Sequence, residues 1–326
     1  MNSNEPVRIY FLGSGKLGLP VLDALLADRQ RLELCGVGSQ LDKPVGRKQI
    51  ITPTALASHA LSLGLSVDRL KSVNDEAFLE KLREMRVEIV LVVAFGQLLK
   101  APLLALPSCG CLNVHASLLP RYRGACPINS AILNGDAETG VAFMQMDKGL
   151  DTGAVYQTVK LPILPDDNTE TLEARLSVLA AQHIGDVCWK IAREGLQAVP
   201  QPTASMPSVK KICKGDACVD WHFDAEKLSR MVRAYIPWPH LRTLVPDTDG
   251  KLKQLQILQA EVVEGDDAAR PGQVLEAKKA LSVECGSHAL RITRVIPEGK
   301  KEMDAAAFLR GNPLPLGTIL PDFPRL

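Results

Sequence analysis

The sequence predicts an α/β protein: a doubly wound, mostly parallel sheet followed by a small OB-like β-barrel domain. Three observations carry this. Short apolar runs alternate with stretches of helical periodicity through residue 198. The run Ile89–Val93 is apolar on both faces, as a strand at the centre of a helix-covered parallel sheet must be. Beyond the proline-rich stretch 199–207 the texture changes to short β-rich segments punctuated by Gly, Asp and Pro. The 326 residues thus divide into a first domain at 1–198, a linker at 199–207 and a second domain at 208–326.

Each element has its own signal. Val7–Leu12 reads as a buried strand, and Leu17, Val21, Leu22, Leu25 and Leu26 then share one face of a helix. Leu32–Val37 is a second strand. The basic segment Asp42-Lys-Pro-Val-Gly-Arg-Lys48, punctuated by Pro and Gly, reads as a mobile loop. Helices are expected at 54–63 and 75–85, and short strands at 89–93, 111–115 and 141–146. Helices at 127–133 and 169–191 complete the first domain. A helix at 225–235 precedes strands at 254–258, 274–276, 281–284 and 289–295.

Bulk composition excludes several classes. A formal charge of +1 gives no global attraction for nucleic acid, so any RNA contact must be local. The N-terminus lacks a basic region before its apolar run, and that run is broken by Gly13, Gly15 and Lys16, so no signal peptide is expected. No apolar run approaches the ~20 residues of a membrane span. These features predict a cytoplasmic protein. The eight cysteines include no C-x-x-C pair. Cys213, Cys218 and His222 fit no usual zinc-finger spacing, so no metal is expected and the cysteines read as reduced thiols.

Gly13-Ser-Gly-Lys-Leu-Gly18 matches the dinucleotide fingerprint between a strand and a helix. The acidic residue required about 20 positions on, to hold the ribose, is missing. The second strand ends Gly36-Val-Gly-Ser-Gln40. A tight strand–helix turn is the better reading.

The chemistry concentrates elsewhere. Asn113 and His115 are two apart on a predicted strand and project from one face. An amide beside an imidazole, with Asp151 available from the glycine-rich stretch Gly149-Leu-Asp-Thr-Gly153, suits acyl transfer without a Ser or Cys nucleophile. Each residue also has a structural reading: a turn former, a core histidine, an Asx turn.

Asn113-Val-His-Ala-Ser-Leu-Leu-Pro120, followed by Arg121-Tyr-Arg-Gly124 and by Asp147-Lys-Gly-Leu-Asp-Thr-Gly153, resembles the formyltetrahydrofolate-dependent formyltransferases. In the second half, Asp220-Trp221, Arg233-Ala-Tyr-Ile-Pro-Trp-Pro239, Pro271-Gly-Gln-Val274, Gly299-Lys-Lys-Glu-Met303 and Phe308-Leu-Arg-Gly311 are similar to those members that act on charged tRNA. The resemblance implies transfer of the formyl group of 10-formyltetrahydrofolate to the α-amino group of initiator methionyl-tRNA, in translation initiation. It implies that Asn113 and His115 steady the oxyanion and that Asp151 orients the imidazole and helps collect the amine's proton. Ser117, Leu118, Leu119 and Pro120, the loop Ala94-Phe95-Gly96, and Asp147 would hold the folate. Lys43, Arg47 and Lys48, with Lys210, Lys211, Lys300 and Lys301, would contact tRNA, although isolated charges also read as solvated surface. Formylation of a nucleotide-linked amino sugar, hydrolysis of the folate, or a non-catalytic binding module remain alternatives. Nothing in the sequence demands more than a monomer.

Overall fold

The computed structural model describes residues 5–46, 48–203 and 207–324. The chain forms two compact units, residues 1–127, 138–162 and 171–209, and residues 128–137, 163–170 and 210–326. Among the described residues, no helix is long and apolar enough to cross a membrane.

In chain order the first elements are β1 (Val7–Gly13), α1 (Gly18–Ala27), β2 (Leu32–Gln40), β3 (Lys43–Val45), β4 (Ile50–Thr52), α2 (Ala55–Ser62), β5 (Val67–Leu70), α3 (Glu76–Glu84) and β6 (Ile89–Val93). Then come α4 (Ala101–Leu104), β7 (Cys111–His115), α5 (Pro127–Leu133), β8 (Glu138–Gln145), β9 (Val155–Pro162) and α6 (Thr169–Arg193). The seven-stranded sheet runs β5-β2-β1-β6-β7-β8-β9. Its first five strands are parallel, β8 pairs antiparallel with β7, and β9 pairs antiparallel with β8. The central strand β6 is buried at every position, as its two-faced apolar run requires. Tyr10, Leu12, Phe78, Leu82, Val90 and Phe95 form one of the apolar clusters built on this sheet.

The glycine-rich turn after β1 is shaped by packing. A Cβ at Gly13 would lie 2.9 Å from the Val93 carbonyl oxygen and 2.7 Å from Leu56, and one at Gly15 would lie 3.0 Å from the Ala94 Cβ. The glycines let the end of β1 and the turn after it approach the end of β6 and α2 closely, which accounts for them by packing. The basic segment after β2 is a β-hairpin rather than an irregular loop. β3 and β4 pair Lys43 with Thr52 and Val45 with Ile50. Gly46, at φ 72°, and Gln49, at φ 50°, take the left-handed backbone that a tight turn between β-branched residues needs.

The second unit carries α7 (Ala225–Ala234), β10 (Leu241–Pro246), β11 (Leu252–Val263), β12 (Val274–Ala277), β13 (Leu281–Glu284), β14 (Ala289–Pro297), β15 (Met303–Asp304) and α8 (Ala305–Gly311). The strands form one antiparallel sheet, β10-β11-β14-β13-β12, with β15 on β14. β11 pairs on both edges, and irregularities near Gln259 shift its register with β14. Such bulges increase local twist and curl a sheet, and the result is an OB-like half-barrel. Trp221, Leu228, Val232, Leu255, Val283 and Ile292 belong to its core. The strongly amphipathic α7 supplies Leu228, Met231 and Val232 from its buried face.

The proline-rich stretch is hydrogen-bonded at both ends within the first unit. Val199 and Val155 exchange two backbone hydrogen bonds, at 2.8 and 2.9 Å. Val209 donates to Arg123 O at 2.7 Å and accepts from Ala125 N at 3.0 Å.

Candidate active site

Asn113 and His115 lie on β7, opposite Met144 and Ala142 of the antiparallel β8. Because β8 reverses direction, the connection to β9 starts beside the beginning of β7, where Met146 N–H donates to Cys111 O at 2.8 Å. That connection brings Asp151 to Asn113 and His115.

The motif around Asp151 encodes its own loop. Asp147 Oδ1 accepts from Gly149 N–H at 2.9 Å and from the Thr152 hydroxyl at 2.7 Å, an Asx-type closure. A Cβ at Gly149 would fall 1.9 Å from Thr152 Oγ1, and one at Gly153 would fall 1.7 Å from Gln145 O. Only glycine fits either position. Asp151 itself sits at φ 53°, a left-handed conformation that non-glycine residues adopt at a cost. Ala94 (φ 46°) and Tyr122 (φ 57°), in the segments expected to form the site, share that conformation. Such strain clusters at functional sites.

The carboxylate is held from three directions. Asp151 Oδ2 accepts from Gly124 N–H at 2.7 Å and lies 3.7 Å from His115 Nδ1. Asn113 Nδ2 stands 3.5 Å from Oδ1, at the outer limit of a hydrogen bond. His115 is 6% exposed, and its Nε2 lies 3.0 Å from the Tyr122 carbonyl oxygen. A carbonyl only accepts, so Nε2 carries the hydrogen and Nδ1 is the nitrogen left for chemistry. Strand spacing cannot tell the two ring nitrogens apart; the structure separates them.

The expected folate residues divide by contact. Ser117 is buried, and its hydroxyl donates to Arg121 O at 2.6 Å, closing the turn that Leu118, Leu119 and Pro120 occupy. Those three are half-buried, and the Leu119–Pro120 peptide is cis. Ala94 and Gly96 are exposed, whereas the Phe95 side chain lies in the core cluster and its carbonyl accepts from the Gln40 side-chain amide and the Ser14 hydroxyl. The exposed Asp147 carboxylate is engaged within its own loop.

The tRNA candidates Lys43, Lys48, Lys210, Lys211, Lys300 and Lys301 are all exposed, and Lys43 Nζ donates to Gln40 Oε1 at 2.6 Å. Arg47 lies outside the described residues. The hairpin also exposes Val45 at 55%, Ile50 at 61% and Ile51 at 62%. Among the described residues, Asp220, His222 and Asp322 bring potential ligand atoms within 4.8 Å of one another at the surface of the second unit. Neither Cys213 nor Cys218 belongs to that group, and all eight cysteines are free.

Sequence reasoning missed one neighbour of the site. Gln201 Nε2 donates to Asp151 O at 2.9 Å and to Gly153 O at 2.7 Å. Its Oε1 accepts from Arg123 Nε at 3.0 Å and Nη2 at 2.8 Å. An amide in a proline-rich stretch carries no periodic signal. Arg123 stood inside a quoted motif, but its partner, 78 residues away, did not.

Residues 7–187 match the formyl transferase family model, and residues 211–313 match that of the formyl transferase C-terminal domain. Similar proteins include the methionyl-tRNA formyltransferase of Caldanaerobacter subterraneus subsp. tengcongensis, 38% identical over 315 residues that cover 96% of this chain and all of the relative. The methionyl-tRNA formyltransferase of Acidiphilium cryptum is 40% identical over 317 residues, with 96% and 100% covered. Two solved structures share the fold. Aquifex aeolicus HypX in complex with tetrahydrofolic acid has a TM-score of 0.63 at 16% identity, over 94% of this chain and 47% of that one. An N-formyltransferase from Helicobacter canadensis, bound to folinic acid and dTDP-3-aminofucose, has a TM-score of 0.63 at 15% identity, over 88% and 98%.

Proposed function

The chain belongs to the formyl transferase family, and on that footing we propose that it moves the formyl group of 10-formyltetrahydrofolate to the α-amino group of methionine on initiator methionyl-tRNA. The observation that carries the catalytic part is the grouping of Asn113, His115 and Asp151 around one carboxylate, 3.5 and 3.7 Å from its oxygens. The near full-length likeness to two methionyl-tRNA formyltransferases supports the acceptor.

Attack of a neutral amine on the formyl carbon puts negative charge on the formyl oxygen and positive charge on the amine nitrogen. Asn113 Nδ2 is bound only weakly to Asp151, so its N–H is available to the oxygen. In the neutral imidazole whose Nε2 donates to Tyr122, His115 Nδ1 carries the lone pair and can take the amine's proton, directly or through a water. Once protonated, Nδ1 stands next to the Asp151 charge as a second donor to the oxygen; as the intermediate collapses and the bond from the formyl carbon to folate N10 breaks, the proton passes to N10 and tetrahydrofolate leaves neutral. No acyl-enzyme is needed, which suits a Ser117 hydroxyl committed to Arg121 O.

The half-buried Leu118–Pro120 turn and the exposed Ala94 and Gly96 offer an apolar surface suited to the folate. Exposed Lys43 and Lys48 on the hairpin, with Lys210, Lys211, Lys300 and Lys301, supply point charges for phosphates. The exposed Val45 and Ile50, paired across the hairpin, lie on one of its faces and Ile51 on the other, so both faces offer apolar surface to a partner.

The test is direct. The protein is incubated with 10-formyltetrahydrofolate labelled in the formyl group and with charged initiator tRNA, and the label is followed into the aminoacyl product. Label in the methionine amide is the expected result. Release of free formate alone, or transfer only to an amino sugar nucleotide, would overturn the assignment.

A further inference from the structure

We infer that Gln201 is a positioning residue for Asp151, so that the stretch read from sequence as a linker forms part of the catalytic scaffold. Asp151 sits in a strained loop, and its side chain must meet Gly124 N–H, Asn113 and His115 at once. The loop's own bonds, from Asp147 to Gly149 and Thr152, fix its near end. Its far end is held by one side chain. Both hydrogens of the Gln201 amide go to the Asp151 and Gly153 carbonyls, and its oxygen receives the forked Arg123 guanidinium.

This arrangement ties together the two partners of the carboxylate contact. Arg123 directly precedes Gly124, whose N–H donates to Asp151 Oδ2. Gln201 therefore joins the residue before the donor to the backbone of the acceptor residue. Its own position is secured by Val199, paired with Val155, and by Val209, whose N–H donates to Arg123 O. Gln201 bonds to both the Arg123 and the Asp151 segments through its side chain, and a hydrocarbon of the same length cannot replace it. Removing it leaves two carbonyls and a guanidinium without their partner, and the strained Asp151 backbone loses its restraint.

The kinetic part rests on the formyl-transfer reading; the structural part does not. Gln201→Met keeps length and removes both hydrogen-bonding ends. Displacement of Asp151 by a fraction of an ångström to one ångström is expected to lower kcat by up to about 10²-fold, with KM for the folate changed by less than about twofold. Amide exchange at Gly124, which reports the Asp151 Oδ2 contact whatever the substrate, should quicken by about tenfold. In an Asp151→Asn background, Gln201→Met should change kcat by less than about twofold, because a residue acting through the carboxylate has nothing left to position. Arg123→Met, which cuts the other side of the same amide, should move Gly124 exchange the same way and serves if Gln201→Met does not fold.

Unchanged Gly124 exchange overturns the inference. So does an equal kcat loss in the wild-type and Asp151→Asn backgrounds, the mark of a merely structural role. Absence of formyl transfer by the wild-type protein would instead overturn the functional reading, and Gly124 exchange would still decide the role of Gln201.

Discussion

Asp151 Oδ2 faces His115 Nδ1 at 3.7 Å, and that is the ring nitrogen not committed to a backbone carbonyl. The pair is almost closed to solvent, with side-chain exposures of 14% and 7%. A proton arriving at Nδ1 is therefore beside a fixed negative charge with little water to screen it. Asp151→Asn keeps the shape and removes the charge. It should lower kcat by about 10²–10⁴ while folate affinity, measured by calorimetry, stays near wild type. Near-normal turnover in that variant would take Asp151 out of the mechanism.

In the proposed reaction Asn113 donates to the oxyanion from an amide whose contact with Asp151, at 3.5 Å, is weak. Asn113→Ala should cost on the order of 10²–10³ in kcat, the usual effect of deleting one oxyanion donor. Steady-state kinetics with both substrates checks this, and a loss confined to KM would assign Asn113 to binding.

The polar strand end was legible because strand periodicity alone puts residues 113 and 115 on one face, and the glycine spacing around Asp151 marks a tight loop. Less of the surroundings could be read. Direction is invisible in an apolar run, so the antiparallel turn of β8, which delivers Asp151 from the start of β7, had no signal. β9, with its alternating half-buried and exposed residues, passed unnoticed for the same lack of an apolar run. The hairpin at 43–52 reads as a loop in sequence because Pro44 and Gly46 punctuate it, although Val45 and Ile50 pair in register. Gln201 depends on contacts 48 and 50 residues away in sequence, which no local pattern encodes.

Gly124 stands where two requirements meet. At φ +114° a Cβ would lie 2.4 Å from the Val209 carbonyl oxygen, and the Gly124 N–H is already given to Asp151. Gly64, at φ +77°, has nothing within 4 Å of its virtual Cβ. Gly64→Ala should therefore cost about 1 kcal/mol, the backbone strain alone, and leave turnover unchanged. Gly124→Ala adds the clash and should cost about 3 kcal/mol or more in urea unfolding, with kcat falling alongside. Equal costs at the two positions would contradict the close approach of residues 124 and 209.

The exposed apolar residues of the hairpin separate binding from folding. Ile50 and Ile51 bury little within the protein, so replacing both with Ser should change stability by no more than about 0.5 kcal/mol. If the hairpin covers part of the acceptor end, the same change should raise KM for charged tRNA roughly tenfold, as loss of partial burial of two side chains would. Lys211→Ala should weaken tRNA binding differently, lowering the slope of log affinity against log salt by roughly one. Filter binding across a salt series distinguishes the two; unchanged affinity in both variants would remove these surfaces from the tRNA contact.

Away from the site, Glu88 and Arg193 form an ion pair at 2.7 Å with side-chain exposures of 16% and 5%. Burial by itself would push the Glu88 carboxyl up, but hydrogen bonds from Arg193 and from Arg8 N–H outweigh it and hold the carboxyl below its usual value. A carboxyl depressed in the folded state stabilises the protein above its unfolded pKa, about 4.3 for Glu, and that stability disappears as pH falls through the folded value. Glu88→Gln leaves the Arg193 charge without its partner and should cost about 3 kcal/mol at pH 7. The gap between wild type and variant should narrow as pH drops below about 4.3, because protonation removes the same charge from the wild type. Urea unfolding at a series of pH values measures that gap directly. A gap that stays constant down through the carboxylate range would mean that Glu88 contributes by packing rather than by charge.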